Sequence, residues 1–413
     1  MFGFNMMHEI HTLTIEQKLS FTTRTERDFI MENRAFPEIR KHLGFGMMRL
    51  PMNGGSIDNE QVCRMVDCFL ERGFNYFDTA HGYHDGKSEI AVRECLTSRH
   101  DRSEYILTDK LTDEYFKSEE DIRPLIDSQL EACGVEYFDF LLMHAQNAEN
   151  FEFFKKCRAY ETAFELKKEG KVRHVGLSFH DKAEVLDRIL TEYPAVEIVQ
   201  IQFNYLDYES LTVESRKVYE VCRKHNKPVL VMEPVKGGNL VNLPDEAQKV
   251  FDDLRASTGS SCSNAGYALR FAAGFDGMEI ILSGMSSLER MEDNLDIFSE
   301  NDGNFRPLDD KELEAIRKVS DVYGAMGAIP CTSCRYCIEE NHCPMEIKIP
   351  SLFSTYNNIV LFGKVVPWMT YDKLTAEGNG KASDCIECGM CEQVCPQHLE
   401  IRELLKKVAE RFE

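Results

Sequence analysis

The sequence predicts an α/β fold: a closed (β/α)8 TIM barrel followed by a smaller, mainly helical domain rich in cysteine. Three observations carry this reading. Between about residues 42 and 300, eight short apolar runs alternate with amphipathic helical stretches. The runs are apolar nearly throughout, as strands buried on both faces must be. Farther on, eight of the fifteen cysteines crowd into the 65 residues from 331 to 395. At 413 residues, 43% of them apolar, the chain is long enough for one barrel-sized core and a smaller one.

Taken in order, residues 1–35 are expected to form an N-terminal extension; the first 30 show no clear periodicity, and Met31 opens a more regular stretch. The barrel is expected over 36–322. Its strand candidates are HLGFG (42–46), FNYFD (74–78), YILTDK (105–110), FDFLLMH (138–144), VRHVGLS (172–178), VEIVQIQ (196–202), PVLVME (228–233) and MEIILSG (278–284). Between them, NEQVCRMVDCFLERG, EEDIRPLIDSQLEACG, AYETAFELKKEG and VESRKVYEVCRKHN repeat apolar residues at three- and four-residue spacing and end near Gly or Asn, as helices do. An open doubly wound sheet would carry a Gly-rich turn after its first strand, and no G-x-G-x-x-G stands there. Residues 301–324 read as a polar connection with a short helix, DDKELEAIRKVSDVYG, and the cysteine-rich domain is expected over 323–413.

Charge and hydropathy narrow the partners. With 70 acidic against 48 basic residues, the net charge of −22 repels nucleic-acid backbones and anionic membranes. Runs such as FDFLLM (138–143) and NIVLF (358–362) fall far short of the roughly 20 residues a membrane span needs. The opening MFGFNMMHEIHTLTIEQKLS has acidic residues and no apolar signal core, so the expected location is cytoplasmic. In that setting the seven scattered cysteines (Cys63, Cys68, Cys95, Cys133, Cys157, Cys222 and Cys262) read as small core hydrophobes rather than disulfide partners.

Barrel proteins place their chemistry at the C-terminal ends of the strands. There the sequence puts Asp78 at the tip of the second strand and Tyr83 in the loop after it, with Lys110 ending the third strand and His144 the fourth. These residues suit carbonyl reduction. Hydride transfer leaves an alkoxide that needs a proton, and a Tyr hydroxyl with a reference pKa of about 10 is a poor donor near neutrality. A neighbouring ammonium lowers that pKa, a carboxylate holds the ammonium, and a His orients the carbonyl oxygen.

At these residues the chain resembles the aldo-keto reductase family. The likeness rests on GFGMMRLP (44–51), GFNYFDTAHGYHDGKSE (73–89), LTDK (107–110), FDFLLMH (138–144), GKVRHVGLS (170–178) and SGMSSLERMEDNL (283–295), in the family's order from about 42 to 300. It implies Tyr83 as proton donor, Lys110 and Asp78 as its tuning pair, and His144 as carbonyl orienter. It also implies NADP(H), with NAD(H) as the alternative, held at its carboxamide by Ser178 and Gln200 and at its adenosine end by Arg290, Asp293 and Asn294. Three positions depart from the family pattern. Phe179 stands where many members have Asn, Met232 where an aromatic stacks on the nicotinamide, and Gly284 where a Lys often meets the 2′-phosphate.

The cysteines form two motifs. Cys331, Cys334, Cys337 and Cys343 are spaced C-x2-C-x2-C-x5-C-P, and Cys385, Cys388, Cys391 and Cys395 are spaced C-x2-C-x2-C-x3-C-P. The second is the bacterial ferredoxin run for a [4Fe-4S] cluster. A four-thiolate zinc site typically uses two separated pairs instead. The resemblance to two-cluster ferredoxins implies exchanged fourth ligands: Cys331, Cys334, Cys337 and Cys395 on one cluster, and Cys385, Cys388, Cys391 and Cys343 on the other. Because IPSLFSTYNNIVLFGK between the motifs reads as a helix, the expected domain is of the helical 2[4Fe-4S] ferredoxin-like kind. The functional expectation is an NAD(P)H-dependent oxidoreductase acting on a small carbonyl substrate, accompanied by electron transfer through two [4Fe-4S] clusters and a redox protein partner. The alternative is an electron-carrier or redox-sensing protein whose barrel binds nicotinamide without reducing carbonyls.

Overall fold

The computed structural model describes residues 35–210, 212–299, 305–331, 336–339, 343–363, 370–376, 378–395 and 398–413. Apart from Ala35, the expected N-terminal extension lies outside the described residues, as does Cys334.

Eight parallel strands close into a barrel: β1 (Leu43–Gly46), β2 (Tyr76–Asp78), β3 (Ile106–Leu111), β4 (Phe138–Gln146), β5 (Val172–Phe179), β6 (Ile198–Gln202), β7 (Val229–Met232) and β8 (Met278–Ser283), with β8 pairing back onto β1. Each expected strand is present. Along them side chains alternate, so even-numbered residues fill the barrel and odd-numbered ones pack under the helices. Tyr76, Ile106, Phe140, Leu142, Ile198, Leu230, Ile280 and Leu282 form the inner cluster, which Phe36 and Ile39 join. Phe45, Phe77, Leu107, Leu141, Leu177, Val199 and Val231 belong to the outer one. The interior is full enough that two inward positions must be glycine. A Cβ on Gly176 would stand 2.6 Å from both Ile198 and Leu142, and one on Gly44 would stand 2.7 Å from Leu282.

Toward the C-terminal ends, the same inward parity brings polar residues instead: Asp78, Lys110, His144, Ser178 and Gln200. This switch along each strand turns the top of a packed core into a site. The strand ends are also where the backbone departs from regularity. Between Met143 and Gln146 the β4–β5 register shifts, and Ala145 takes φ 50°.

The helix expected at the barrel's end runs Asp310–Ala325, capped by Asp309 accepting from the Glu312 N–H at 2.9 Å. Beyond it a second, small core gathers Ile329, Ile347, Ile349, Leu352, Phe353, Tyr371, Ile401, Leu405 and Val408 around the buried Cys337, Cys391 and Cys395. Its longest helix, Ile349–Phe362, starts with Pro at its second position and stops at Gly363 in the left-handed region. The far end of that helix packs against the barrel: Phe362 lies 5.7 Å from the Tyr323 ring and under Lys236, 5.8 Å from its Nζ. No described helix is long and apolar enough to cross a membrane.

Candidate active site

At the barrel mouth, Asp78 ends β2 and Lys110 stands near the end of the adjacent β3. Lys110 Nζ donates to Asp78 Oδ1 at 2.6 Å and to the Thr79 carbonyl at 2.8 Å, with Lys110 and Asp78 exposed by only 1% and 4%. The loop after β2 brings Tyr83 over this pair, the Lys110 ammonium lying 4.9 Å from the ring centroid. His144 faces Tyr83 from the other side, their rings 6.1 Å apart at 75°. Its Nδ1 is 2.7 Å from the Thr112 hydroxyl. The four expected residues thus converge from β2, its loop, β3 and β4.

Their protonation follows from burial and from one another. Burial opposes the Lys110 charge, but Asp78 and Tyr83 together hold its pKa above the ordinary lysine value. Burial raises the Asp78 carboxyl, with Lys110 pulling the other way. Burial and the Lys110 charge drive His144 down to about 3, so its imidazole is neutral near pH 7. Tyr83 differs from the sequence expectation. Lys110 lowers its pKa, but burial raises it more, and Asp78 adds to the rise. In the unliganded mouth Tyr83 is therefore a firm phenol.

The expected cofactor residues are placed less uniformly. Gln200 lies in the same tier, its Nε2 3.4 Å from Asp78 Oδ2. Ser178 is fully buried and its Oγ accepts the Ala145 N–H at 2.7 Å, which leaves the hydroxyl proton as its free valence. Asn294 is also buried, donating to Ser283 Oγ at 2.7 Å, while Asp293 accepts from Ser263 Oγ at 2.8 Å. Arg290 bonds Ser286 Oγ from an exposed position. The first two mouth residues are brought to the Tyr83 site; the other three lie together around the Leu288–Ile297 helix, so the set spans two places.

One residue of the mouth was not singled out from the sequence. His180 continues the inward run His174, Gly176, Ser178 on β5, and its N–H donates to the Gln146 carbonyl at 2.9 Å. Its side chain keeps contact with solvent, yet the protein packed around it and the Lys110 charge hold its pKa down to about 4. Parity alone could have found it. The two departures on β5 and β7 also have a place: Phe179 faces outward into the helix layer, and Met232 ends β7.

In the second core, Cys343, Cys385, Cys388 and Cys391 line one cavity with Ile349, Ile386, Met390, Arg402 and Leu405. Its empty volume, open mouth included, is about 350 Å³. Burial first, and then Glu392 and the other three cysteines, push the Cys391 thiol up to about 11. Four cysteines around one cavity are the donor set that a [4Fe-4S] cluster takes. Cys337 and Cys395 are buried in the same core, Cys331 packs against it, and Cys334 lies outside the described residues.

A closed parallel barrel with a polar mouth, joined to a compact cysteine-lined module, defines a two-part oxidoreductase-type architecture. The chain belongs to the aldo/keto reductase family: that family's model matches residues 42–321, and the 4Fe-4S dicluster domain matches residues 330–399. Among curated proteins it is similar to the NADH-specific methylglyoxal reductase of Escherichia coli (strain K12), 28% identical over 210 residues, 46% of this chain and 61% of that protein. It is also 22% identical over 312 residues to the uncharacterized oxidoreductase YqkF of Bacillus subtilis (strain 168), covering 68% of this chain and 94% of that protein. The chain thus spans less than two thirds of the methylglyoxal reductase's length. Among solved structures, the holo form of a Bacillus halodurans aldo-keto reductase superposes with a TM-score of 0.54 at 23% identity, covering 68% of this chain and 92% of that one. A Klebsiella pneumoniae aldo-keto reductase in complex with NADPH does so with 0.53 at 18%, covering 68% and 95%. At these identities the superpositions speak for the fold.

Proposed function

We propose that the protein is an NAD(P)H-dependent oxidoreductase that reduces a small carbonyl compound at the Tyr83 mouth and carries two [4Fe-4S] clusters in its C-terminal module. The observation that supports it most is the convergence of Tyr83, Lys110, Asp78 and His144, with the Asp78–Lys110 contact at 2.6 Å. The nicotinamide supplies hydride. NADPH in a superposable relative supports that choice of cofactor. Gln200 and Ser178 lie in the right tier to meet its carboxamide, and Arg290 is exposed to meet a phosphate.

His144, neutral and accepting the Thr112 hydroxyl proton at Nδ1, presents Nε2–H to the substrate oxygen. Tyr83 gives its phenolic proton to that oxygen, and the Lys110 ammonium stabilises the phenolate left behind. Because burial raises the Tyr83 pKa in the free mouth, the proton leaves when the oxygen develops negative charge and not before. Asp78 keeps Lys110 charged and fixed throughout.

The cysteine module supplies one-electron chemistry when its clusters are bound. Cys385, Cys388, Cys391 and Cys343 would hold one cluster; Cys331, Cys334, Cys337 and Cys395 would hold the other. The test is an anaerobic assay of purified protein with NADPH and a panel of carbonyls, following cluster absorbance in parallel. Carbonyl turnover that Tyr83→Phe abolishes while NADPH still binds is the expected result. Cluster reduction without any carbonyl turnover would assign the protein instead to the electron carriers.

A further inference from the structure

Behind the mouth, on the outer face of β3, two carboxyl groups are buried together. Asp109 is completely buried and Glu89, on the Lys87–Val92 helix, is 1% exposed. The Glu119–Cys133 helix joins them across one of its turns. Gln129 Nε2 donates to Glu89 Oε1 at 3.3 Å and to the Lys110 carbonyl at 3.1 Å, and four residues on, Cys133 Sγ stands 3.8 Å from Asp109 Oδ2. Asp109 Oδ1 accepts the N–H of Lys110 at 2.8 Å. Glu89 accepts from His81 Nδ1 through both oxygens, at 3.1 and 3.0 Å. His81 is two residues before Tyr83, in the same loop.

We propose that Glu89 and Asp109 hold one proton between them, and that this acid–carboxylate pair is the positioning element that sets Tyr83 against Lys110. Two buried carboxylates without a cation between them are mutually repulsive, and sharing a proton turns the repulsion into a hydrogen bond. Among the described residues, the basic side chain that bonds the pair is His81, and it does so at Glu89; the Lys110 ammonium is committed to Asp78. The charge therefore belongs on Glu89 and the proton on Asp109. Burial and then the Glu89 charge push Asp109 well above the carboxylate range, and the Glu89 bond raises His81.

The pair ties the loop and the Lys110 backbone to one point. Through His81 it holds the loop, whose turn also needs His84 and Asp85 at positive φ. Thr79 and Ser88 reinforce that anchor with a 2.8 Å bond between their hydroxyls. Through Asp109 and Gln129 it holds the backbone on both sides of Lys110. A second negative charge there, on Asp109, would also oppose the Tyr83 phenolate.

The experiment rests on the carbonyl-reduction reading for its kinetic arm and is independent of it for its spectroscopic arm. In the full-length protein at neutral pH, infrared difference spectra between wild type and Asp109→Asn are expected to show a protonated-carboxyl band that the variant lacks. Asn can donate to Glu89 as the acid does, so Asp109→Asn lowers kcat less than Glu89→Gln does. Glu89→Gln breaks the charged bond to His81 and lowers kcat on the order of 10²-fold while KM and the NADPH Kd hold, because a misplaced proton donor costs rate and not affinity. The absence of any protonated-carboxyl band in the wild type overturns the shared proton, whether or not a variant folds. Wild-type kcat in Glu89→Gln overturns the positioning role. A wild-type protein that shows the band and reduces no carbonyl would count against the proposed function and not against the proton.

Discussion

Lys110→Met is the most informative single perturbation of the mouth, because it separates what Lys110 does for folding from what it does for chemistry. In the wild type a nearly inaccessible ammonium and carboxylate meet at 2.6 Å. Removing one partner leaves an uncompensated buried charge, which costs about 3–5 kcal/mol. At roughly 2 °C per kcal/mol for a domain of this size, Tm falls by about 6–10 °C. The sign with pH is fixed. Unpaired and buried, Asp78 has a folded-state pKa raised above its unfolded value, so its stability is fully present below the unfolded pKa and is lost as pH rises through the folded one. The loss in Tm is therefore larger at pH 8 than at pH 5. Adding Asp78→Asn removes the stranded charge and recovers most of the stability, a strong non-additivity between contacting residues. It does not recover turnover, since nothing then stabilises the Tyr83 phenolate. Thermal melts at the two pH values, beside single-turnover reduction of a carbonyl, measure both halves. A Lys110→Met protein that melts with the wild type, or a double variant that melts below the single one, would refute the buried-pair argument.

Other outcomes follow from the same geometry. Tyr83→Phe lowers carbonyl reduction by a factor on the order of 10²–10⁴ and leaves the NADPH Kd in place, as fluorescence titration would show; a small kinetic loss removes Tyr83 from the donor role. His144 has a folded pKa of about 3 against 6.5 in the unfolded chain, so the unfolded state takes up its proton first. Its contribution to stability is intact above pH 6.5 and drains away as pH falls toward 3; His144→Gln should flatten that acid slope in denaturant titrations, and an unchanged slope contradicts a neutral buried ring. Arg290→Ala weakens binding of NADPH more than of NADH if its guanidinium meets the 2′-phosphate, and equal weakening denies that contact. Anaerobically purified protein contains about eight irons per chain, and Cys388→Ser disturbs one cluster's electron paramagnetic resonance signal while leaving the other; stoichiometric zinc would point to a structural site instead.

Much of this was legible in the sequence, for reasons that differ from element to element. The eight strands announce themselves because each is apolar on both faces, and the mouth residues because a strand's last inward position is where barrel chemistry sits. The cysteine motifs are legible because ligand spacing is local. What the chain does not reveal by spacing is contact across the fold. Glu89 stands on a helix and Asp109 on the strand that follows it, twenty residues on, and nothing in KSEIAV or LTDK says that they meet. Ser178 and Asn294 look like free ligands in the sequence, yet each spends part of its hydrogen-bonding capacity on a protein neighbour. The Tyr83 pKa is a similar case. An adjacent lysine predicts a fall, and the degree of burial that reverses it is a property of the packed mouth alone.

The Ile349–Phe362 helix sets a distance. Its fourteen residues rise about 20 Å from end to end. Ile349 lines the cavity of Cys343, Cys385, Cys388 and Cys391, and Phe362 rests on the barrel beside Lys236. Partway along, the Asn357 amide grips both the N–H and the carbonyl of Ile329, at 2.7 and 2.8 Å, two residues before Cys331. The helix thus works as a ruler with three marks: one cysteine set at its far end, the start of the other at its middle, and the reductase barrel at zero. Clusters held on such a ruler are ordered by it. A residue inserted in this one helix would change their spacing from the barrel without touching a cysteine or a mouth side chain.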